Sequence, residues 1–175
     1  MITQARLKEL LNYDATTGVF NWAISRSVKK GTELTAIDND GYIRVQLDYV
    51  SYRAHRLAWL WVYGEMPSKN LDHKNLVKTD NRIDNLRLAT TQENNRNFPK
   101  RKNCRSIYKG VVYEKDIITA RIKIDGKLIR LGKFDTELNA HQAYCLAAKK
   151  YFGEFANFGI DTYNEPILVT STKLI

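Results

Sequence analysis

The sequence predicts an α+β protein made of two small domains. Its 175 residues suffice for one ordinary domain or for two small ones, and strand-like runs alternate with helical patterns in both halves. The charge is uneven, because residues 98–133 carry 11 basic and 3 acidic side chains whereas residues 1–97 carry 14 and 11. This change in composition indicates a boundary close to residue 98.

The overall composition restricts the class of protein. A net charge of +9 and an isoelectric point near 9.5 predict a polyanionic partner, most often nucleic acid. An evenly spread basic surface that serves only solubility is the alternative. No apolar run reaches the roughly 18 residues of a membrane span, and the N-terminal MITQARLKELL lacks a signal-peptide core. We therefore expect a soluble cytoplasmic protein.

The first half begins with alternating helix and strand patterns. Residues 3–12 suit a helix with three leucines on one side, Leu7, Leu10 and Leu11. TGVFNW then suits a turn into a strand, and GYIRVQL suits a second strand. The run SYRAHRLAWLWVYG is predicted to become helical from about His55 and to end at its glycine.

A polar segment follows, DHKNLVKTDNRIDNLRLATTQENNRN, with ten Asp, His or Asn side chains in twenty-six residues. Asp72 and His73 stand at a predicted strand end, so their side chains point to opposite faces. Asp72 offers a hard carboxylate oxygen to Mg²⁺ or Mn²⁺, and His73, with an ordinary pKa near 6.5, can take a proton from water. The two residues therefore suit different tasks.

The end of this segment suits a helix. TTQE is a capping-box pattern that starts a helix at about Thr91. Asn94 lies one turn in, and its amide oxygen can complete a strand, loop and helix site around one ion. The alternative is that these Asn and Asp residues only form turns and caps. The conjunction of an acid–histidine pair, a capped helix carrying Asn and a basic second half favours catalysis.

The second half contains a predicted hairpin. ITARIKIDGKLIRLGKF consists of two alternating runs around Asp125 and Gly126, which favour a type I′ turn. A two-residue turn pairs Arg121 with Arg130 and brings both to one face with Lys123. The other face is apolar: Ala120, Ile122, Ile124, Ile129 and Leu131. Two arginines opposite each other cost stability unless an anion lies over them.

A helix is predicted from Thr136 to Phe152, with small alanines that let it lie close on the apolar sheet face. His141 falls off the apolar stripe, so we expect it to be exposed to solvent. Cys104 and Cys145 have neither zinc-knuckle spacing nor the density of a disulfide framework. We expect both to be reduced, with Cys145 buried in this helix.

The first half resembles the HNH endonuclease family, in its phage and homing branch, over residues 13–97. The matching runs are HRLAWLWVYGEMP, LDHKN and DNRIDNLRLATTQENNRN. The resemblance implies a ββα-metal nuclease domain in residues 1–97, with extra strands and helices. It assigns a metal ligand to Asp72, the general base to His73, the brace of the histidine loop to Asn85 and a second metal ligand to Asn94.

The last family position is asparagine here, which makes the chain an H-N-N variant and suits Mg²⁺ better than Zn²⁺. Asn95 is an alternative ligand and Asn81 an alternative brace. His55 recurs at the matching place in the family and is a candidate to touch a phosphate, or else a satisfied histidine at a helix start. Three arginines are candidates to hold the substrate backbone, with plain solubility as the alternative: Arg82, Arg87 and Arg96.

The second half resembles an AP2 DNA-binding domain through YKGVVY, ARIKIDGK, IRLGKF and AHQAYCLAAKKYFGEFANF. The resemblance implies a small three-stranded antiparallel sheet packed on one helix in residues 107–160, with the sheet in the DNA major groove. The matching DNA-contacting positions are Lys109, Arg121, Lys123 and Arg130. First-strand arginines of the family are replaced by Val112 and Glu114, so its sequence preferences are not transferred. Residues 98–106 are assigned to a basic linker, and 161–175 to a tail.

Together these features predict a DNA endonuclease with one Mg²⁺ or Mn²⁺ ion per active site. His73 would activate water for in-line attack on phosphorus and leave 5′-phosphate and 3′-hydroxyl ends. The substrate would be double-stranded DNA, cut by a monomer or homodimer in a homing or phage DNA-processing role, in the cytoplasm of a bacterial host. The alternatives are a sequence-specific DNA-binding regulator with an inactive nuclease half, and an RNA-directed nuclease.

Overall fold

The computed structural model of the protein describes residues 1–25, 27–100 and 103–159. The predicted tail 161–175 and two linker residues, Arg101 and Lys102, lie outside the described residues. Within them the chain is a mixed α+β structure with four helices and small antiparallel sheets, so the predicted α+β class is confirmed. Among the same residues, no helix is long and apolar enough to cross a membrane.

The chain divides into two compact units, Met1–Asn95 and Arg96–Ile175. The predicted boundary close to residue 98 lies slightly later in the chain, just after the helix that ends at Asn97. The described residues of the predicted linker 98–106 belong to the second unit.

The first unit contains three antiparallel hairpins and two helices, followed by a helix that runs into the second unit. In chain order the elements are α1 Gln4–Leu10, β1 Leu11–Tyr13, β2 Phe20–Trp22, β3 Arg44–Leu47, β4 Val50–Arg53, α2 Ala54–Tyr63, β5 Asn70–His73, β6 Leu86–Ala89 and α3 Thr91–Asn97. Consecutive strands pair, so the sheets are β1 with β2, β3 with β4 and β5 with β6.

The core of the first unit forms where α1 and α2 bury their apolar faces against the hairpins. All three predicted leucines are buried, although α1 ends at Leu10 and Leu11 starts β1. Helix α2 ends where Gly64 adopts a left-handed conformation with φ of 80°, which confirms the predicted end. The buried residues are Leu7, Leu10, Leu11, Phe20, Val45, Leu47, Ala54, Leu57, Ala58, Leu60 and Leu86.

The start of α3 confirms the predicted capping box. The Thr90 hydroxyl accepts a hydrogen bond from the Glu93 amide at 3.2 Å, and the Glu93 carboxylate accepts one from the Thr90 amide at 2.8 Å. These bonds satisfy two amide groups that a helix start would otherwise leave unpaired. The polar segment is therefore a hairpin, β5 and β6, followed by a capped helix.

In its described residues the second unit has a three-stranded antiparallel sheet and one α-helix that follows it. The strands are β7 Val111–Glu114, β8 Ile117–Ile124 and β9 Lys127–Phe134, in the order β7, β8, β9, and the helix is α4 Glu137–Phe152. Asp125 and Gly126 both have positive φ, and Arg121 pairs with Arg130. The predicted turn and register are thus confirmed. Helix α4 packs on the sheet through Ile122, Tyr144, Ala147, Ala148 and Phe152.

Two expectations about α4 are wrong. His141 is only 1% exposed, because its ring lies beside Tyr108 and its Nδ1 is 2.9 Å from the carbonyl oxygen of Lys109. The segment that leads into β7 therefore covers the helix side that the sequence pattern left open. Cys145 is half-buried rather than buried, and Cys104 is exposed. Burial raises the pKa of the Cys145 thiol to about 11, so it stays protonated at neutral pH.

Candidate active site and candidate DNA-binding face

Asp72 and His73 are the last two residues of β5, and both side chains are buried. They stand opposite Arg87 and Leu86 of β6, and each makes different contacts. This separation is what the alternation of strand side chains predicts. The hairpin register therefore determines which partner each residue meets.

Arg87 is the partner of Asp72. Its Nε and Nη2 donate hydrogen bonds to Asp72 Oδ2 at 2.9 and 2.7 Å, and the two side chains are only 10% and 4% exposed. The expectation that Arg87 holds the substrate backbone is wrong for this structure, because the pairing of β5 with β6 brings its guanidinium onto the carboxylate. Arg87 thus balances the charge of Asp72 and orients it.

His73 lies in a cluster of rings and amides. Its Nε2 is 3.5 Å from Asn81 Oδ1, and its ring centroid is 5.2 Å from that of His55 and 5.8 Å from that of Tyr42. Burial lowers the pKa of His73 below its ordinary value, so the imidazole is neutral at neutral pH. If Nε2 carries the proton, its N–H donates a hydrogen bond to Asn81 Oδ1, and Nδ1 keeps its free lone pair. A neutral imidazole of this kind can accept a proton.

Asn85 holds the loop between β5 and β6. Its Oδ1 accepts from the Asn75 amide at 3.1 Å, while its Nδ2 donates to Asn75 Oδ1 at 3.0 Å and to the Asp80 carbonyl at 2.8 Å. Asn81, the alternative brace, also donates to the Thr79 carbonyl at 3.2 Å. The two asparagines therefore make different contacts: Asn85 ties the loop, and Asn81 reaches His73.

The support beneath this loop gave no signal in the sequence. Gly18 has a φ of +76°, and a Cβ built on it would lie 2.4 Å from the Arg82 backbone nitrogen and 2.7 Å from the Asn81 carbonyl carbon. The Tyr13 hydroxyl donates to the Asn81 carbonyl at 2.7 Å. Such contacts join residues far apart in sequence, so only the folded structure reveals that Gly18 permits the close approach.

His55 starts α2 with its side chain turned inward. It is buried, its ring is 5.0 Å from Tyr42, and its Nδ1 has no hydrogen-bond partner among the described residues. Burial lowers the pKa of His55 to about 3, with the neighbouring His73 as a further cause. The expected phosphate contact does not follow from this position, because the imidazole faces His73 rather than solvent.

Asn94 and Asn95 lie one turn into α3. The Asn94 side chain is half-buried and makes no hydrogen bond within the part of the chain that is described, whereas Asn95 is exposed. No contact of Asn94 with Asp72 is present there, so its metal role stays a prediction. Among the described residues, no group of three or more His, Cys, Asp or Glu side chains is arranged to hold a metal ion. A carboxylate, an amide oxygen and retained waters fit Mg²⁺ better than Zn²⁺.

The remaining predicted arginines already have carboxylate partners. Arg82 is half-exposed and donates through Nε and Nη2 to both oxygens of Asp80 at 2.8 and 2.6 Å, which lowers the pKa of that carboxyl to about 2. Arg96 pairs with Asp125 at 3.2 Å and lies 4.9 Å from the ring of Phe152. Arg82 borders an open cleft of about 360 Å³ together with Lys74, Asn75 and Asn85.

The second unit presents a sheet with two different faces, although Ile129, predicted for the apolar face, is 40% exposed. Ala120 and Ile122 are buried on the side of α4, while Lys123 on the other side is exposed. Arg121 and Arg130 stand opposite each other there. Glu114 at the end of β7 forms ion pairs with both guanidiniums, at 2.9 Å for Arg130. The carboxylate of Glu114 therefore supplies the negative charge that offsets the repulsion between the two arginines.

The ammonium of Lys109, a predicted DNA contact, is engaged within the second unit. It donates hydrogen bonds to the carbonyl oxygens of Phe98 at 2.6 Å and Arg96 at 3.2 Å. Burial lowers the pKa of Lys109 to about 8. The residue precedes β7 and points toward the chain that enters the second unit, so it joins two backbone segments instead of facing a partner.

Comparisons with known proteins support the nuclease resemblance of the first unit. A family model described as HNH endonuclease matches residues 52–96. An uncharacterised HNH endonuclease of Acanthamoeba polyphaga mimivirus is 33% identical over 114 residues, which are 64% of this chain and 59% of that relative. The chain thus spans about three fifths of the length of this curated relative.

A solved structure, described as DNA binding and cleavage by the HNH homing endonuclease I-HmuI, is 26% identical. It covers 50% of this chain and 51% of that chain, with a TM-score of 0.38. The family model described as HNH endonuclease agrees, over residues 52–96, with the resemblance seen in the sequence. This segment contains the four predicted residues Asp72, His73, Asn85 and Asn94.

Proposed function

We propose that the chain is a DNA endonuclease that depends on a divalent metal ion, with hydrolysis in the first unit and duplex binding in the second. The observation that carries the proposal is the end of β5, where buried Asp72 and neutral His73 are consecutive residues within the matched segment 52–96. A carboxylate that can bind a metal ion and a neutral imidazole that can accept a proton are two groups that metal-assisted hydrolysis of a phosphodiester uses.

His73 is the proposed general base. Burial keeps its imidazole neutral, and Asn81 and the His55 ring hold it in place. It takes the proton of a water molecule as that water attacks phosphorus in line, and the 3′-oxygen leaves. The products are a 5′-phosphate and a 3′-hydroxyl. Asn85 contributes by tying down the loop that follows His73.

Asp72 and Asn94, with Asn95 as the alternative, are the proposed ligands of one Mg²⁺ or Mn²⁺ ion. Both supply the hard oxygen atoms that these ions prefer, and Mg²⁺ commonly keeps several waters beside one or two protein ligands. When bound, the ion stabilises the charge that develops on phosphorus and on the leaving oxygen. Arg87 orients the Asp72 carboxylate for this role.

The second unit is the proposed duplex-binding module, and its three strands followed by one helix support an AP2-like assignment. Arg121, Lys123 and Arg130 form its basic face, with Lys109 no longer included because its ammonium is engaged. A twisted antiparallel sheet fits the DNA major groove, where base edges and phosphates are both within reach.

The number of active sites bears on how many strands are cut, and two biological roles suit the proposed activity. One nuclease centre per chain cuts one strand, so a monomer would nick the duplex and a homodimer could cut both strands. A homing role, in which the enzyme spreads its own gene, and a role in phage DNA processing in the bacterial cytoplasm both suit such an activity. Mapped break sites distinguish them, because homing requires one long target site whereas DNA processing leaves many breaks.

The test is a cleavage assay on mixed genomic DNA with Mg²⁺, with Mn²⁺ and with a chelator, followed by mapping of the ends. We expect cutting only with a divalent ion, and His73→Ala should lower the rate about 1,000-fold without weakening duplex binding. Asn70→Ala is the matched control, because Asn70 is exposed on the same strand. Unchanged cutting by His73→Ala, or cutting in the chelator, would contradict the mechanism.

A second candidate is a DNA-binding regulator with an inactive nuclease half. One observation favours it: Asp72 Oδ2 already accepts two hydrogen bonds from Arg87, and these compete with an ion for that oxygen. This candidate predicts duplex binding with no cutting under any divalent ion, and no change in melting temperature on adding Mg²⁺ or Mn²⁺. The endonuclease predicts a rise in melting temperature that Asp72→Asn removes.

A further inference from the structure

The basic face of the second unit contains one acidic side chain in contact with its arginines. Glu114 forms ion pairs with Arg121 and, at 2.9 Å, with Arg130, and these two arginines are directly opposite each other on β8 and β9. The three side chains are all partly exposed, so DNA can reach them. The contact thus lies on the surface that the proposed function assigns to the duplex.

Glu114 occupies the position that an anionic partner would take. Like charges directly opposite each other on neighbouring strands repel, so the pair of guanidiniums needs an anion between them. Carboxylates and phosphates are recognised by arginine in the same way, through N–H groups directed at paired oxygen atoms. A phosphate that binds both guanidiniums therefore has to displace the carboxylate, or else lie beside it at a cost in repulsion.

The other acidic residues of the neighbouring turns are arranged differently. Asp116, in the turn between β7 and β8, is 96% exposed and lies 3.7 Å from Arg105. Asp125, in the turn between β8 and β9, pairs with Arg96. Neither of these ion pairs involves the two facing arginines. Asp116 is therefore a matched reference for Glu114, with the same charge two residues away on the same turn.

We propose that Glu114 is an internal competitor for the DNA phosphate, which holds Arg121 and Arg130 in the free protein and lowers the affinity of this face for duplex DNA of any sequence. The inference rests on the proposed DNA-binding role of the second unit. Its consequence is that the face binds random DNA weakly in spite of its charge, because one carboxylate must be released for each duplex bound. The protein then leaves non-target DNA readily.

The test compares Glu114→Gln with Asp116→Asn in the full-length chain, since both remove one negative charge. Binding to a short random-sequence duplex is measured without divalent ions, over a range of salt concentrations. We expect Glu114→Gln to bind about fivefold tighter, with a salt dependence steeper by about one counterion. Asp116→Asn should change affinity less than about twofold, because an exposed charge away from the arginines is screened.

A second variant guards against loss of folding, since Glu114→Gln leaves two facing arginines without their acid. Arg130→Gln removes that repulsion, so Glu114→Gln is repeated in its background and compared with Arg130→Gln alone. In the Arg130→Gln background we expect Glu114→Gln to increase the affinity for the duplex by a smaller factor, because only Arg121 is released. A rise in melting temperature with inorganic phosphate, larger for Glu114→Gln than for the unchanged protein, is the independent readout.

The possible outcomes separate the two proposals. Equal effects of Glu114→Gln and Asp116→Asn, or weaker binding by Glu114→Gln, overturn the competitor role while the DNA-binding face stands. If Arg121→Ala and Arg130→Ala leave duplex binding unchanged, the face does not bind DNA and both proposals fail. Tightening by Glu114→Gln that disappears when both arginines are replaced supports the competitor role.

Discussion

The two units of the chain handle charge in opposite ways. In the first unit the ion pair of Asp72 and Arg87 is buried, and the nearby histidines His55 and His73 have pKa values lowered by burial. In the second unit Arg121 and Arg130 lie on a sheet surface, with side chains 31% and 43% exposed. The polar groups of the proposed active site are thus buried, whereas the arginines of the proposed DNA-binding face are partly exposed.

This difference fits the task that we propose for each unit. A general base has to be held in one protonation state and one position, and burial among packed side chains provides both. A phosphate-binding cation has to reach outward and exchange its partner, which requires exposure and a weak internal contact. Basic residues therefore have different surroundings in the two units, and we expect their substitution to have different effects in each.

The largest stability effect is expected from Arg87→Ala. This variant leaves the buried Asp72 carboxylate without its arginine, and we expect the free energy of unfolding of the first unit to fall by about 3 kcal/mol. Arg82→Ala is the matched control, because Arg82 also pairs with an aspartate but is half-exposed. Urea unfolding of both variants measures the difference. If both variants lost the same free energy of unfolding, burial of the ion pair between Asp72 and Arg87 would add nothing to stability.

The next effect concerns binding by the second unit. We expect Arg121→Ala to weaken duplex binding about tenfold and to reduce the slope of log affinity against log salt by about one, since one phosphate contact is lost. Arg6→Ala serves as the control, because Arg6 is an arginine of the first unit that pairs with Glu9 and Asp48. Indistinguishable effects of the two substitutions would remove the argument for a basic binding face.

The remaining effect comes from pH and not from a substitution: the first unit is expected to lose stability on the acid side of neutrality. His55, with a pKa of about 3, and His73, with a lowered pKa, stay neutral in the folded first unit, while in the unfolded chain they titrate near their ordinary value. The unfolded state therefore binds more protons below about pH 6.5, and stability, complete above that pH, falls by up to about 1.4 kcal/mol per pH unit for each histidine.

The measurement uses tryptophan fluorescence, because all three tryptophans of the chain, Trp22, Trp59 and Trp61, belong to the first unit. Urea unfolding followed in this way between pH 7 and pH 5 should give a falling free energy of unfolding. His55→Phe should make that fall shallower, because one of the two buried histidines is gone. The second unit has one buried histidine, His141, with a lowered pKa, so its dependence on pH should be weaker. A flat profile for the first unit would contradict the predicted neutrality of both rings.

Local signals explain most of what the sequence predicted correctly. The capping box of Thr90 and Glu93, the left-handed end of α2 at Gly64 and the turn at Asp125 and Gly126 all depend on residues close together in the chain. The hairpin register followed from that turn, and it placed Arg121 opposite Arg130 without further information. Interactions between residues close in sequence were thus enough to predict the helix ends, the turn and the facing arginines of the sheet.

The contacts that the sequence missed all join distant segments. Asp72 meets Arg87 only because β5 pairs with β6 in one register, and the burial of Lys109 and His141 depends on how the chain enters the second unit. A sequence pattern predicts that a lysine or histidine is exposed when the residue lies off the apolar face of its own helix or strand. Coverage by another segment is decided by tertiary packing, so these residues could not be assigned in advance.

Gly18 bears on how short a segment of the chain could carry the proposed nuclease activity. The family match begins at residue 52, yet the loop bearing Asn81 rests against Gly18 and accepts a hydrogen bond from Tyr13. The same N-terminal residues share their apolar core with Leu86 on β6. If residues 52–96 alone were moved into another protein, Asp72 and His73 would therefore lose the contacts of Gly18 and Tyr13 that support the neighbouring loop. For protein engineers, the portable unit is the whole of Met1–Asn95 with the remainder of α3.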